Sequence, residues 1–317
     1  MHIDEENKTI IVNGNSVAPG NNKLLRMEIA RLPTGTLIDI PIHVFNAKKA
    51  GPTVLVQAGL HGDEINGIET LRRMLENRDF EIVKGAVIVV PILNVFGFIH
   101  FSRDVPDGKD VNRSFPGSRT GSLASRIAYH YTQEILPQID FGIDLHTGGG
   151  QRHNFPQIRY TESDKGSFEL AQLFNAPISF ASNLISGSFR KTALKMGKPV
   201  AVYEAGESMR FDTTAIDHGI RGVRNVLSGL GMRSLPLHKV TAVQLEKRRW
   251  IRAPRAGMFI PEIKNGQYIS KGSLLGTVTD TIAKKRKRIK APFDGHVICI
   301  NHQAVVNQGD ALFHVGY

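Results

Sequence analysis

A histidine and a glutamate three residues apart, His61 and Glu64, stand in the run Gly59-Leu60-His61-Gly62-Asp63-Glu64. Within one helical turn that spacing brings an imidazole and a carboxylate to one side, where both can reach a single cation such as zinc. The spacing alone decides little: with 12 His and 29 acidic residues in 317, about one such pair arises by chance. A second imidazole strengthens it, His146 in Asp144-Leu145-His146-Thr147, at the end of another apolar run. Taken alone, His146 reads as a satisfied histidine at a strand end, with Asp144 as an ordinary cap. Together with His61 and Glu64 it completes a three-ligand set, which leaves a fourth position for water, as a catalytic zinc site requires.

Hydrolysis at such a site needs a carboxylate that takes a proton from water and hands it to the leaving amine. Glu204, in Tyr203-Glu204-Ala205-Gly206, ends an apolar run and is the candidate, with Glu207 as its competitor. Stabilising an oxyanion and recognising an anionic substrate call for fixed guanidinium and amide donors. The loop Asp110-Val111-Asn112-Arg113 offers them, although a stretch rich in Asp, Asn and Gly also fits an exposed polar turn.

These side chains must be positioned by the elements around them. Apolar runs at 53–58, 86–90, 141–145 and 199–203 alternate with helical patterns at 64–76, 122–136, 167–174, 189–196 and 213–230. Strands buried on both faces read as such unbroken runs, so the pattern predicts an α/β fold: a mixed, mostly parallel sheet covered by helices. His61, His146 and Glu204 all fall at or just beyond the carboxyl ends of these runs, the edge where open α/β sheets bind ligands. Within residues 1–50, the turn signals Asn13-Gly14 and Pro19-Gly20 and the alternation at 37–44 predict antiparallel strands flanking the sheet.

No convincing helix follows residue 246, and the boundary between a catalytic domain, 1–246, and a second domain, 247–317, is placed there. The second part carries a repeat. Ala253-Pro254-Arg255-Ala256-Gly257 returns as Ala291-Pro292-Phe293-Asp294-Gly295 at an offset of 38, and Lys271-Gly272 as Gln308-Gly309 at an offset of 37. Two similar halves with glycine turns predict a small all-β barrel-sandwich domain, similar to those of lipoyl and biotinyl carriers. The residues around Lys284 lack a carrier's attachment context, so the resemblance is one of shape.

The net charge of +11 is uneven: residues 247–317 hold 13 Lys and Arg against 4 acidic residues, or +9, leaving +2 for residues 1–246. A nucleic-acid-binding module is the rival reading of the run from Lys284 to Arg288. No aromatic interleaving supports base stacking there, and the run reads as a solvated face that draws in anionic substrates, with no nucleic-acid partner expected. A single cysteine, Cys299, excludes an intramolecular disulfide. The longest apolar stretch, 86–98, is broken by Pro91 and Asn94 and is too short to span a bilayer. A cytoplasmic protein without a membrane partner is expected, and a homo-oligomer is left open.

Taken in order, His61-Gly62-Asp63-Glu64, Asp110-Val111-Asn112-Arg113, Asp144-Leu145-His146-Thr147 and Tyr203-Glu204-Ala205-Gly206 resemble the motifs of the succinylglutamate desuccinylase and aspartoacylase family, relatives of zinc carboxypeptidases. The resemblance spans residues 50–232. It implies a phosphorylase/hydrolase-like α/β fold, one zinc ion per chain on His61, Glu64 and His146, and Glu204 as general base. It further implies that Arg103 polarises the scissile carbonyl, that Asn112 and Arg113 grip the substrate carboxylate, and that Asp110 orients His61 from behind. Arg152, Arg159 and Arg210 are the candidates for a second substrate charge. The stretch 216–227 resembles the bacterial predicted-deacylase branch that includes N-acetyl-diaminobutyrate deacetylase. The activity implied is zinc-dependent hydrolysis of the amide in a small anionic N-acyl amino acid or related compound.

Overall fold

In the computed structural model, which describes residues 5–282 and 285–317, the turn signals act where the sequence places them. Asn13 and Gly14 take positive φ values of 50° and 72° and join β1 (Ile10–Val12) to β2 (Asn15–Val17) in a two-residue hairpin. The long strands β3 (Asn22–Arg31) and β4 (Leu37–Asn46) pair antiparallel, with inward side chains alternating along each.

The chain then alternates between strands and helices: β5 (Lys49–Ala58), α1 (Ile65–Glu76), β6 (Lys84–Val90), α2 (Val95–Ile99), α3 (Leu123–Glu134) and β7 (Phe141–Gly148). It continues through β8 (Arg152–Tyr160), α4 (Lys165–Phe174), β9 (Ile178–Ala181), α5 (Phe189–Lys195), β10 (Val200–Glu207) and α6 (Thr213–Gly229). Side chains of Ser122, Asp164, Ser188 and Asp212 cap α3, α4, α5 and α6 by accepting the N–H three residues on. Of the helices, α2 escapes the sequence reading because five residues show no 3.6-residue period.

The strands β5, β6 and β7 are buried on both faces, and two apolar clusters lie on the two sides. One takes Leu55 and Ile88 with Ile127 and Tyr131 of α3 and Phe189 of α5. The other takes Val54, Val56 and Val87 with Leu71 and Met74 of α1 and residues of α4 and α6. Each fully buried Leu or Met contributes about 1.5–3 kcal/mol. No helix among the described residues is long and apolar enough to cross a membrane.

The remaining strands are β11 (Val243–Gln244), β12 (Arg248–Arg252), β13 (Gly257–Pro261), β14 (Tyr268–Ile269), β15 (Leu274–Thr279), β16 (Arg286–Lys290), β17 (Gly295–Asn301), β18 (Val305–Val306) and β19 (Ala311–Gly316). One 13-stranded sheet runs β12-β19-β17-β8-β10-β7-β5-β6-β4-β3, with β9, β11 and β14 attached to it. A second, antiparallel sheet is ordered β16-β15-β13-β18, and an apolar cluster including Phe259, Val278, Leu312 and Phe313 joins residues of both sheets. The large sheet is mixed, but the expected predominance of parallel pairing is corrected. Parallel pairs hold at β6-β5-β7-β10 and around β9, whereas β8, β17, β19 and β12 on one side and β4 and β3 on the other pair antiparallel. The reason lies in what is added on the two sides: the β3-β4 hairpin beside β6, and β17 of the C-terminal segment on the part of the β8 edge that β9 leaves open. Lys284 of the basic run lies outside the described residues.

Candidate active site

Glu64 stands at the N-cap of α1 yet makes no capping hydrogen bond. Its carboxylate turns instead toward two imidazoles: Oε1 lies 2.7 Å from Nδ1 of His61, and Oε2 lies 2.8 Å from Nδ1 of His146. Oε2 also accepts the Thr147 N–H at 3.0 Å. Only 2–6% of His61, Glu64 and His146 is exposed, and their candidate ligand atoms all fall within 4.8 Å of one another. Burial drives the Glu64 carboxyl toward its neutral form, but His61 and His146 outweigh it and hold its pKa well below the carboxylate range. Burial likewise opposes a charge on His146, while Asp144 and Glu64 raise its pKa well above that of a free imidazole.

The far ring nitrogens face carboxylates too. Nε2 of His146 is 2.9 Å from Asp144 Oδ2, and Nε2 of His61 is 3.4 Å from Asp110 Oδ1, at the limit of hydrogen bonding. A neutral imidazole that gives its Nε2–H to a carboxylate presents an Nδ1 lone pair, the tautomer a metal ligand needs. A proton on each Nδ1 satisfies these contacts, and a cation shared by the three side chains would satisfy them equally; a carboxylate behind each metal-binding histidine is the usual support. This donor set therefore fits a divalent ion. Arg103 behaves as a cation drawn to the same lone pairs. Its Nη1 is 3.3 Å from Glu64 Oε1 and 3.1 Å from His61 Nδ1, while Nη2 donates to Asp110 Oδ2 at 2.9 Å.

Gly62 permits this loop to lie on α2: a Cβ there would stand 2.0 Å from the backbone carbon of Gly97. Asp144 was legible only as a cap, but it sits two residues before His146 on β7, which places both side chains on one face.

The parallel pairing of β10 with β7 sets Glu204 level with His146 and Val202 level with Asp144, so Glu204 and His146 share a face. Both Glu204 oxygens are held, Oε1 at 3.0 Å from Arg159 Nη1 and Oε2 by the Asn154 Nδ2–H at 2.7 Å. Its competitor Glu207 stands opposite Gly148 and meets Nδ1 of His302 at 2.9 Å. Glu207 lines an open cleft of about 540 Å³ with Asp63, Gly150, Arg210 and His302.

Asn112 and Arg113 lie at the start of α5, where Asn112 Oδ1 accepts the Phe189 N–H at 2.9 Å and Arg113 is exposed enough to meet a ligand. Asp110 anchors that turn by accepting the Asn112 N–H at 2.7 Å. Next to it stands Arg190, which sequence reading missed. It donates to Ser182 Oγ and the Asn183 carbonyl, both at 2.8 Å, and burial, then Arg159, push its pKa down to about 10. Asn154 was missed as well, because it lies on β8, whose polar composition hides a strand. Of the three basic candidates, Arg159 joins the site through Glu204, Arg210 reaches the cleft, and Arg152 is exposed with its Nε bonded to the Gly149 carbonyl.

Residues 50–230, more than half of the chain, match the family model described as the succinylglutamate desuccinylase/aspartoacylase catalytic domain. Among curated relatives, the N-alpha-acetyl-L-2,4-diaminobutyric acid deacetylase of Halomonas elongata is 27% identical over 288 residues, 86% of this chain and 84% of the relative. Among solved structures, the product-bound ectoine utilization protein EutE (DoeB) of Ruegeria pomeroyi superposes with a TM-score of 0.83 at 26% identity, covering 93% of this chain and 95% of that one. A succinylglutamate desuccinylase of a Silicibacter species shares the fold with a TM-score of 0.84 at 23% identity, over 98% of this chain and 99% of its own. The chain belongs to the succinylglutamate desuccinylase/aspartoacylase family of deacylases.

Proposed function

We propose that this protein is a zinc-dependent deacylase that cleaves the amide of a small N-acyl amino acid or related compound, with one zinc ion held by His61, Glu64 and His146. The observation that carries the reading is the Glu64 carboxylate set between two Nδ1 atoms at 2.7 and 2.8 Å. When bound, zinc supplies Lewis acidity that acidifies water and polarises an amide carbonyl.

Glu204 takes the proton from water and returns it to the departing nitrogen. Arg159 and Asn154, one at each oxygen, keep its carboxylate aimed along the face it shares with His146. Arg103 keeps its bonds to Asp110 and turns Nη1 from Glu64 to the carbonyl oxygen as charge develops there. Asn112 and Arg113 bind a substrate carboxylate, the guanidinium offering a two-pronged donor. Asp144 and Asp110 orient His146 and His61. Residues 247–317 form the barrel-sandwich domain beside this site, and the enzyme works in the cytoplasm.

The test is a hydrolysis panel over N-acyl amino acids with Glu204→Gln beside the wild type. The variant is expected to keep its zinc and lose about 10²–10⁴ in kcat. Comparable turnover in the variant removes Glu204 from the mechanism.

A further inference from the structure

Strand β10 loses its regular pairing just past Glu204. Its register shifts between Glu204 and Glu207 against β7, and between Glu204 and Gly206 against β8. An irregularity of this kind re-aims a side chain, but it also interrupts the ladder that would hold the strand in place. Side chains take over that task. The Asn66 Nδ2–H donates to the Glu207 carbonyl at 3.2 Å, and two residues from the C-terminal segment reach across the seam to add further holds.

One is His302, on the loop between β17 and β18. Its Nδ1 meets the Glu207 carboxylate at 2.9 Å, and its ring stacks on that of His153 with centroids 5.6 Å apart. The other is Asn265, on the loop between β13 and β14, whose Nδ2 lies 2.9 Å from His153 Nδ1 and 2.8 Å from the His153 carbonyl oxygen. A carbonyl oxygen can only accept, so the nitrogen of the Asn265 amide faces His153, and its two hydrogens serve both contacts. His153 Nδ1 therefore accepts, the ring hydrogen sits on Nε2, and Nε2–H donates to Asp212 Oδ2 at 2.7 Å. Asn265 Oδ1 is buried with no hydrogen-bond partner among the described residues, so the polar contribution of this side chain lies in its nitrogen. The loop is pressed onto β8: a Cβ on Gly266, which has a φ of +82°, would stand 2.3 Å from the Phe155 ring.

His153 is followed on β8 by Asn154, whose Nδ2–H holds Glu204 at 2.7 Å. Its partner Asp212 caps α6 and donates its own N–H to Asn66 Oδ1 at 2.8 Å. A ring gripped on one nitrogen by Asn265 and on the other by Asp212 fixes this part of β8. We propose that Asn265 is a positioning residue for the general base: through His153 it keeps β8 where Asn154 grips Glu204, so the C-terminal segment governs proton transfer. Asn265 is not among the residues that line the cleft, and it acts without meeting substrate. The role of Glu204 rests on the deacylase reading, whereas the state of His153 does not.

Two measurements on the full-length chain test this with Asn265→Ala and with Asn265→Asp, which keeps the size of the side chain and removes the donor. In NMR spectra of histidine-labelled protein at neutral pH, the His153 ring, identified by its disappearance in His153→Gln, is neutral in the wild type with its hydrogen on Nε2. In Asn265→Asp a carboxylate faces Nδ1, and the ring becomes an imidazolium between two carboxylates. In parallel, with an N-acyl amino acid that the wild type cleaves, both variants lower kcat about tenfold or more while KM and zinc content stay within about twofold. A role confined to fastening the loop leaves kcat per folded molecule unchanged and lowers only the yield of folded protein. That result, a fall in kcat matched by loss of zinc, or a wild-type His153 with its hydrogen on Nδ1 overturns the proposal. If the wild type cleaves no amide but its His153 has the stated tautomer and Asn265→Asp converts it, the hold on His153 stands and the deacylase reading falls.

Discussion

Glu64 shows at single-residue scale how function overrides local preference. A glutamate at a helix N-cap would ordinarily serve the first turn, but here it leaves the cap unsatisfied and bridges two imidazoles. His314 shows the same scale of effect on stability. Burial, with Arg159 and Arg248 adding to it, holds its folded pKa near 3, below the 6.5 of a free imidazole. Above pH 6.5 neither the folded nor the unfolded chain carries this proton, and the group has no effect. As pH falls below 6.5 the unfolded chain takes up a proton that the folded chain refuses, so stability declines until about pH 3. At pH 4.5 the loss is roughly 2–3 kcal/mol. Urea unfolding at pH 7.5 and 4.5 should show the wild type losing that much more than His314→Gln; equal losses would contradict it. The cluster of His61, Glu64 and His146 was readable in the sequence because the two histidines follow apolar runs and Glu64 lies three residues beyond His61. Asn154 and Arg190 were not, because the contact of Asn154 with Glu204 and those of Arg190 with Ser182 and Asn183 depend on which strands and loops become neighbours.

Elements place these side chains by close backbone approach. The loop carrying His61 and Glu64 lies so near α2 that a methyl group on Gly62 would overlap the Gly97 and Phe98 backbone at 2.0–2.1 Å. Backbone cannot rotate away as a side chain can, so Gly62→Ala must displace the loop or the helix. The expected outcome is a folded protein with reduced zinc occupancy and at least about a tenfold drop in kcat/KM, since small displacements of reacting groups carry large rate penalties. Full occupancy and normal rates would show that the loop adjusts freely. The long helices were readable to within a few residues because Ser122, Asp164, Ser188 and Asp212 mark their starts and apolar periodicity marks their lengths. Strand β8 was hidden by Arg152, His153, Asn154 and Pro156, residues chosen for the site and the seam rather than for a sheet interior.

At the scale of the molecule, the internal repeat announces the β character of residues 247–317 but not their attachment. Pairing of β17 with β8 fuses this segment to the sheet that carries the active site, and Ile298 of β17 packs with Phe180 and Leu245. A chain ending at Glu246 would expose the β8 edge and this apolar cluster, so it should aggregate or lose activity. A soluble truncated form with unchanged kinetics would refute an essential role for the segment. The repeat could not reveal this junction because strand pairing across 140 or so residues leaves no local periodicity to read. The central claim concerns the ion itself, and metal analysis of protein purified without chelators, then equilibrated with zinc, tests it most directly. The wild type should retain close to one zinc per chain, while folded His61→Ala and His146→Ala retain close to none. A properly folded wild type that takes up no zinc, or variants that hold as much as it does, would contradict the account.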